Sequence, residues 1–278
     1  MAFKVYKTAT GILVEGKRGS FRLENMDWDA FINDDALFTK LTELAERTVT
    51  DAARSAPQAW LKPMDKQEIW ASGVTYFNSK LARQEESAEA GGGDFYARVY
   101  TAERPELFFK SSAARCAGPG EAVRIRPDST WNVPEPELTL FVSSSGKIVG
   151  FTIGNDMSSR SIEGENPLYL PQAKTYDGCA AIGPCLYIPE KPVLDDAEIQ
   201  LIIHRDGGVV FEGKTSLAQM KRGLEELVSW LFRELTFPYG CFLMTGTGII
   251  PPKEFSLQQG DEIRITIEPI GTLINYVR

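Results

Sequence analysis

The segment PEPEL at 134–138 holds Glu135 and Glu137 two residues apart, the spacing that puts both side chains on one face of an extended strand. Neighbouring carboxylates repel unless a cation lies between them or one keeps a proton. Taken alone, these residues read most simply as a solvated pair beside a proline. The downstream sequence changes that balance. LTLFV (138–142) and IVGFTI (148–153) flank SSSGK in a hairpin pattern, and the second run ends in IGND, which returns Asp156 toward the two glutamates. Three carboxylates with no His or Cys among them form a hard oxygen donor set suited to Mg²⁺, Mn²⁺ or Ca²⁺. Pro136 has no N–H to give a ladder, which points to a strand at a sheet edge or outside regular pairing.

Cations follow closely. Arg160 and Lys174 (in LPQAKTYDG) can neutralise a carboxylate cluster, bind a substrate carboxylate or carry a proton. A lysine close to a divalent cation and partly desolvated loses its proton more readily, which makes Lys174 a candidate base. Thr247 in GTGIIPP (246–252), with neighbouring backbone N–H groups, could cradle a carboxylate, although an ordinary glycine turn is the plainer reading. Tyr76 in SGVTY and Lys110 in PELFFK are unremarkable by themselves. His204 is the sole histidine, so a Ser-His or Cys-His nucleophile would have to pass through it, and its place beside an Asp-Gly-Gly turn reads as structural. No P-loop or dinucleotide fingerprint is present.

The elements that must hold these residues are mostly strands. FKVYK (3–7) and GILVE (11–15) read as a hairpin turning near Gly11; QLIIHR (200–205) with VVFEG (209–213), and IRITI (263–267) with TLINYV (272–277), read as two more. Leu37, Leu41, Leu44, Ala45 and Val49 share one face of a helix expected over about 35–54. A second helix is expected over about 217–235, with Ser216 and Gln219 at capping-box spacing. Pro57 and Pro63 bracket a connection, giving a small domain over 1–62 and a large one over 63–278. Residues 78–98 are polar and charged and break at three glycines; they read as a solvated helix and loop, or as a lid over a neighbouring pocket.

The 278 residues carry 30 Lys plus Arg against 38 Asp plus Glu, a net charge of −8, which argues against nucleic-acid binding but not against an anionic ligand in a metal pocket. The four cysteines form no CxxC pair, so zinc is not expected. No signal-peptide core and no membrane-spanning run is visible, and a cytoplasmic protein with free thiols is expected.

In order, SGVTY, PELFFK, PEPEL, GNDMSSR, Lys174, GP at 183–184, GTG at 246–248 and the closing QQGDEIRITIEPIGTLINYV resemble the fumarylacetoacetate hydrolase superfamily over about residues 68–278. PEPEL with ENPLYLPQAKTYDGCAAIGP is most similar to its sugar-acid branch, the 2-keto-3-deoxypentonate dehydratases. The resemblance implies a β-rich α+β fold, with a mixed β-roll catalytic domain and a small N-terminal α/β domain, and a homodimer or higher homo-oligomer. It implies Mg²⁺ on Glu135, Glu137 and Asp156, Lys174 at the metal, and Thr247 near the substrate carboxylate. Arg160, Tyr76 and Lys110 are the remaining substrate-binding candidates. Hydrolases of the family extend the tyrosine motif into a His–Glu dyad that activates water; the matching positions here are Ser79 and Ala82, and neither can act as that base. The expected reaction is therefore elimination of water from a 2-oxo sugar acid, giving 2,5-dioxopentanoate. Lys174 is the first candidate for the C3 base and Glu106 in RPELFFK the second. A C–C hydrolase or 2-oxo acid decarboxylase is the nearest alternative, and a non-catalytic sugar-acid binding protein the next.

Overall fold

Apolar alternation in the first residues buries Phe3 and Val5 from β1 (Ala2–Thr8) and Ile12 and Val14 from β2 (Gly11–Gly16) on the same side of a hairpin. Thr8 pairs with Gly11, as the sequence suggests. Gly11 has φ of 145°, and a Cβ there would lie 2.3 Å from the Leu23 carbonyl oxygen of β3 (Gly19–Leu23). The computed structural model describes residues 1–48, 60–79, 98–192, 194 and 196–278. Helices α1 (Trp28–Ile32) and α2 (Leu37–Thr48) follow, the second burying Leu37, Leu41 and Ala45 on one face; the rest of the helix expected to 54 lies outside the described residues, as does most of the lid segment expected over 78–98.

Strands β4 (Glu68–Gly73), β5 (Glu106–Ser112), β6 (Cys116–Ala117), β7 (Ala122–Val123), β8 (Asn132–Val142) and β9 (Ile148–Ser159) come next. Short helices α3 (Arg160–Glu165) and α4 (Leu170–Lys174) lead to β10 (Ala180–Pro189), and β11 (Glu198–Arg205) and β12 (Gly208–Ser216) form a hairpin. Helix α5 (Leu224–Leu231) precedes β13 (Cys241–Met244), β14 (Glu262–Ile267) and β15 (Gly271–Val277). One sheet runs β3-β2-β1-β10-β9-β8-β13-β4-β5, with β6 on β10; the other runs β12-β11-β14-β15-β7. Because β1 pairs with β10, β1–β3 continue the sheet of the rest of the chain, and α1 and α2 share its core.

The large sheet is rolled. Three strands lie between β5 and β9 in its hydrogen-bonded order, yet the Lys110 ammonium on β5 donates to the Met157 carbonyl on β9 at 2.9 Å. The chain leaving β5 then closes onto β10 through β6. This matches the expected mixed β-roll. One face of β8 and β9 (Leu138, Leu140, Phe151, Ile153) packs on Leu201, Ile263, Ile265 and Leu273 of the second sheet. The other face carries Phe141 into a core with Phe3, Phe31, Ile182 and Phe242, and carries Glu135 and Glu137 at its far end.

The helix expected over 217–235 is shorter than its apolar stripe suggests. Ser216 caps a single 3₁₀ turn, Leu217–Gln219, and the Gln219 side chain meets Thr215 rather than closing a capping box. The α-helix starts only after Gly223, whose N–H reaches Glu226. Between them, Lys221 N–H donates to the Thr75 carbonyl and Met220 bridges to Tyr76, so this stretch is spent on the segment holding Tyr76. His204 lies on β11, with Nδ1 3.7 Å from Glu262 of β14, away from the carboxylates. All four cysteines are buried and free.

Candidate metal centre

Register brings the three acids together. Glu135 of β8 is the direct partner of Asp156 on β9, and Glu137 faces Gly154. One ligand oxygen from each acid lies within 4.8 Å of those of the other two, and all three side chains are buried. Gly154 makes room for this row: a Cβ there would sit 2.2 Å from Thr139 Oγ1 and 2.9 Å from Met244 Cε. Of the two places that its missing N–H suggested, an edge strand or outside regular pairing, Pro136 takes the second on one side of β8. It lies in an internal strand, but beyond the point where pairing with β13 stops at Thr139, so no bond to β13 is lost.

Among the described residues, three cations surround the acids. Lys174, at the C-terminal end of α4, donates to Glu135 Oε2 (2.8 Å), Asp156 Oδ2 (3.0 Å) and Ser158 Oγ (2.6 Å). Lys110 lies 2.7 Å from Asp156 Oδ1 and donates to the Lys174 carbonyl, so it holds the last turn of α4 as well as the acid. Arg160 opens α3, where its N–H meets the Trp131 carbonyl, and its guanidinium donates to Glu135 Oε1 at 2.7 Å with Glu163 on its other side at 3.9 Å. Glu137 is served by a backbone donor, the Gly246 N–H at 2.5 Å. Burial pushes the Glu137 carboxyl well above the usual carboxylate range, and Asp156 and Glu135 push it further, against the opposing pull of Lys174 and the Gly246 N–H. Three hard oxygen donors held together where burial and mutual repulsion oppose their ionisation are suited to a divalent cation, whose charge offsets both effects. The residues fit one.

The other residues singled out from the sequence fall into place around this cluster. Tyr76 is buried, its hydroxyl has no hydrogen-bond partner among the described residues, and burial with the nearby Glu137 charge raises its pKa, so the phenol keeps its proton. Thr247 follows Gly246, but its hydroxyl is turned onto the Ile249 N–H and carbonyl. Lys110 is fully buried with its ammonium committed to Asp156 and two carbonyls, which makes it a support of Asp156 rather than a group reaching for substrate. Glu106 lies farther out on β5 than Lys110, and its carboxylate rests over Gly73.

A family model described as fumarylacetoacetate (FAA) hydrolase C-terminal matches residues 68–278. The chain belongs to the fumarylacetoacetate hydrolase family. Among curated relatives in this family, a probable 2-keto-3-deoxyxylonate dehydratase of Haloferax volcanii is 50% identical over 245 residues, covering 87% of this chain and 82% of the relative. A 2-dehydro-3-deoxy-D-arabinonate dehydratase of Saccharolobus solfataricus is 43% identical over 221 residues, covering 78% and 74%. A solved 2-keto-3-deoxy-D-arabinonate dehydratase, complexed with magnesium and 2,5-dioxopentanoate, aligns over 100% of this chain and 99% of its own with a TM-score of 0.81 and 35% identity.

Within the fumarylacetoacetate hydrolase fold, the position where a hydrolytic dyad would begin holds Ser79. Its hydroxyl is tied to the Tyr76 backbone, donating to the carbonyl at 2.7 Å and accepting from the N–H at 3.2 Å. Ala82 lies outside the described residues. Two site groups escaped the sequence reading, Ser158 and Glu163, while a backbone N–H of the GTG turn, expected there to cradle a carboxylate, is the Gly246 N–H that serves Glu137. Ser158 was within reach of that reading, since it stands two residues after Asp156 on the same strand face.

Proposed function

We propose that this chain is a magnesium-dependent dehydratase that converts a 2-keto-3-deoxypentonate into 2,5-dioxopentanoate and water. The observation that carries this reading is the buried Glu135–Glu137–Asp156 cluster with the Lys174 ammonium held by two of its acids. The relatives at 50% and 43% identity are dehydratases of such sugar acids, and the aligned solved structure holds magnesium with the product.

Glu135, Glu137 and Asp156 would hold Mg²⁺, which when bound would draw electron density from the C1–C2 oxo-acid group and, by its charge, favour the neutral amine of Lys174. Lys174 takes the proton from C3. The electron pair left at C3 moves toward C4, the C4–O bond breaks, and the hydroxyl leaves as water with one added proton. A proton then moves from C5 to C3, leaving the enol of an aldehyde, and a further shift from the enol hydroxyl to C4 gives the product. Overall one water is lost and no external oxidant or reductant is needed. Lys110 and Ser158 keep Asp156 and Lys174 fixed through these shifts, and the protonated Tyr76 phenol remains a donor at the Glu137 end.

No described helix is long and apolar enough to cross a membrane. A cytoplasmic location is part of this reading, as is a homodimer or higher homo-oligomer, which rests on the family resemblance and is tested by light scattering of the purified chain. The activity is tested by incubating the protein and Mg²⁺ with 2-keto-3-deoxypentonates and, separately, with acylpyruvates, following products by proton NMR. Aldehyde from the former is expected. Cleavage of acylpyruvates with no aldehyde from the pentonates would replace the dehydratase with a C–C hydrolase.

A further inference from the structure

The backbone just before Tyr76 is strained. Val74, a buried β-branched residue, has φ of 55°, a left-handed conformation that such side chains rarely adopt. Strain of this kind persists only where the surrounding structure holds it, and it gathers at functional sites. Two groups of contacts hold this turn. On one side Thr75 Oγ1 donates to the Thr245 carbonyl at 2.7 Å, next to the Gly246 N–H that serves Glu137. On the other, the Lys221 N–H donates to the Thr75 carbonyl at 2.9 Å and Met220 bridges to Tyr76.

Met220 and Lys221 lie in a short link between the 3₁₀ turn ending at Gln219 and α5, and Arg222 gives that link its stiffness. Its guanidinium is buried. Through Nη1 it donates to the Glu103 carbonyl (3.0 Å) and to Glu226 Oε1 (2.5 Å), and through Nη2 to the Val99 (3.2 Å) and Ala102 (2.5 Å) carbonyls. Lys221 adds its ammonium to the Tyr100 carbonyl, and the Tyr100 ring meets Phe77 edge-on at 6.2 Å. Three stretches far apart in sequence, 74–77, 99–103 and 220–222, thereby form one junction. Burying a guanidinium carries a desolvation cost, so this web fixes one conformation more than it adds stability. At the junction the Tyr76 ring lies over Gly248, where a Cβ would fall 2.8 Å from Cδ1.

We infer that Arg222 is a positioning residue: through Met220 and Lys221 it holds the strained Val74 turn, and so aims the Tyr76 hydroxyl at an oxygen of a 2-oxo acid on the metal. This rests on the 2-oxo acid reading of the site. The hydrogen bonds of Arg222 to described residues go to Val99, Ala102, Glu103 and Glu226, not to the three metal-ligand acids. Its loss should therefore weaken the organic ligand and spare the metal.

The test is binding rather than turnover. Titration calorimetry on the full chain measures Mg²⁺ first and then 2-oxobutyrate on the Mg²⁺-loaded protein, for wild type, Arg222→Met, Tyr76→Phe and the double variant. Mg²⁺ affinity is expected to stay within about twofold of wild type in all of them. Each single substitution should weaken 2-oxobutyrate by about three- to tenfold, the worth of one buried hydrogen bond. The double variant should bind it no more weakly than either single one, because both changes remove the same contact. Lysine has one ammonium for the acceptors that the guanidinium spans, so Arg222→Lys should lie between wild type and Arg222→Met; it takes the place of Arg222→Met in the cycle should that variant fail to fold. The assignment is overturned if the variant at 222 used in the cycle binds 2-oxobutyrate as wild type does, loses Mg²⁺ affinity by as much, or multiplies the loss seen in Tyr76→Phe. Mg²⁺-loaded wild type that does not take 2-oxobutyrate would overturn the 2-oxo acid reading itself, and this inference with it.

Discussion

Glu135 and Asp156 are register partners on adjacent antiparallel strands, and one ammonium, that of Lys174, spans the pair at 2.8 and 3.0 Å. The base candidate and two of the metal ligands are thus one hydrogen-bonded unit. Anything that alters the charge of one alters the position of the others.

Lys174→Met removes the ammonium and leaves the acids. Loss of a positioned base costs about 10²–10⁴-fold in kcat. Breaking a buried ion pair by deleting one partner costs about 3–5 kcal/mol. A cation can take over the charge balance but not the proton transfer. The expected outcome is a variant whose melting temperature falls sharply in EDTA, recovers largely with Mg²⁺, and whose kcat recovers in neither condition. Full turnover with metal bound would remove Lys174 from its role.

Metal removal should carry a pH signature. The Glu137 carboxyl is raised in the folded state by burial first and by Asp156 and Glu135 after it. A raised acid stabilises the metal-free fold below its unfolded-state pKa, and that contribution is lost as pH rises through the folded value. A divalent cation replaces the proton and cancels the loss. The gain in melting temperature on adding Mg²⁺ should therefore grow from acid toward neutral pH, and calorimetry in buffers of different ionisation enthalpy should show proton release on binding. A gain that is flat with pH would count against Glu137 as a ligand.

The metal ligands were legible because their geometry is local: a two-residue spacing and a short hairpin suffice to bring Glu135, Glu137 and Asp156 together. Lys110 was not, since its contact with Asp156 depends on the large sheet rolling until β5 meets β9 across three intervening strands. No neighbouring residue in sequence signals that. The GTG turn could be read as a carboxylate cradle, but nothing showed that its Gly246 N–H serves Glu137, because a backbone donor has no residue type to announce its partner. In the helix expected over 217–235, the apolar stripe continued across Gly223, and periodicity outweighed a breaker that the fold obeys.

Gly246 gives a direct test of the backbone donor. Its φ is 92°, and a Cβ there would lie 2.0 Å from Thr75 Oγ1 and 3.0 Å from the Ser72 carbonyl oxygen. Gly246→Ala must shift this turn, at a cost of about 1–3 kcal/mol for a side chain forced into such backbone. The N–H moves away from Glu137 as it does so. Weaker Mg²⁺ binding by calorimetry is expected together with a lower melting temperature. A stability loss with unchanged metal affinity would show that the N–H does not hold Glu137 in its ligand position.

Asp35 offers the contrasting case of a residue that supports the hairpin from its far end. Its carboxylate accepts from Ser143 Oγ at 2.6 Å and Ser145 Oγ at 2.8 Å, and pairs with Lys147 at 2.9 Å, all in the turn joining β8 to β9. The Ser143 hydrogen bond is the largest of the effects that hold its pKa below the usual value, against a smaller opposing cost of burial. A lowered acid stabilises the fold above its unfolded-state pKa, and this is lost as pH falls through the folded value. Asp35→Ala should thus cost about 1 kcal/mol at neutral pH, the Lys147 pair adding little because both groups reach solvent. The difference from wild type should shrink under acid conditions. Turnover and Mg²⁺ affinity should stay unchanged, because the ligand end of the hairpin is fixed independently by Lys110, Lys174 and Arg160. Chemical denaturation at neutral and acid pH, beside a steady-state assay, checks both halves, and a loss of metal affinity would mean that the register of the whole hairpin depends on this distal clamp.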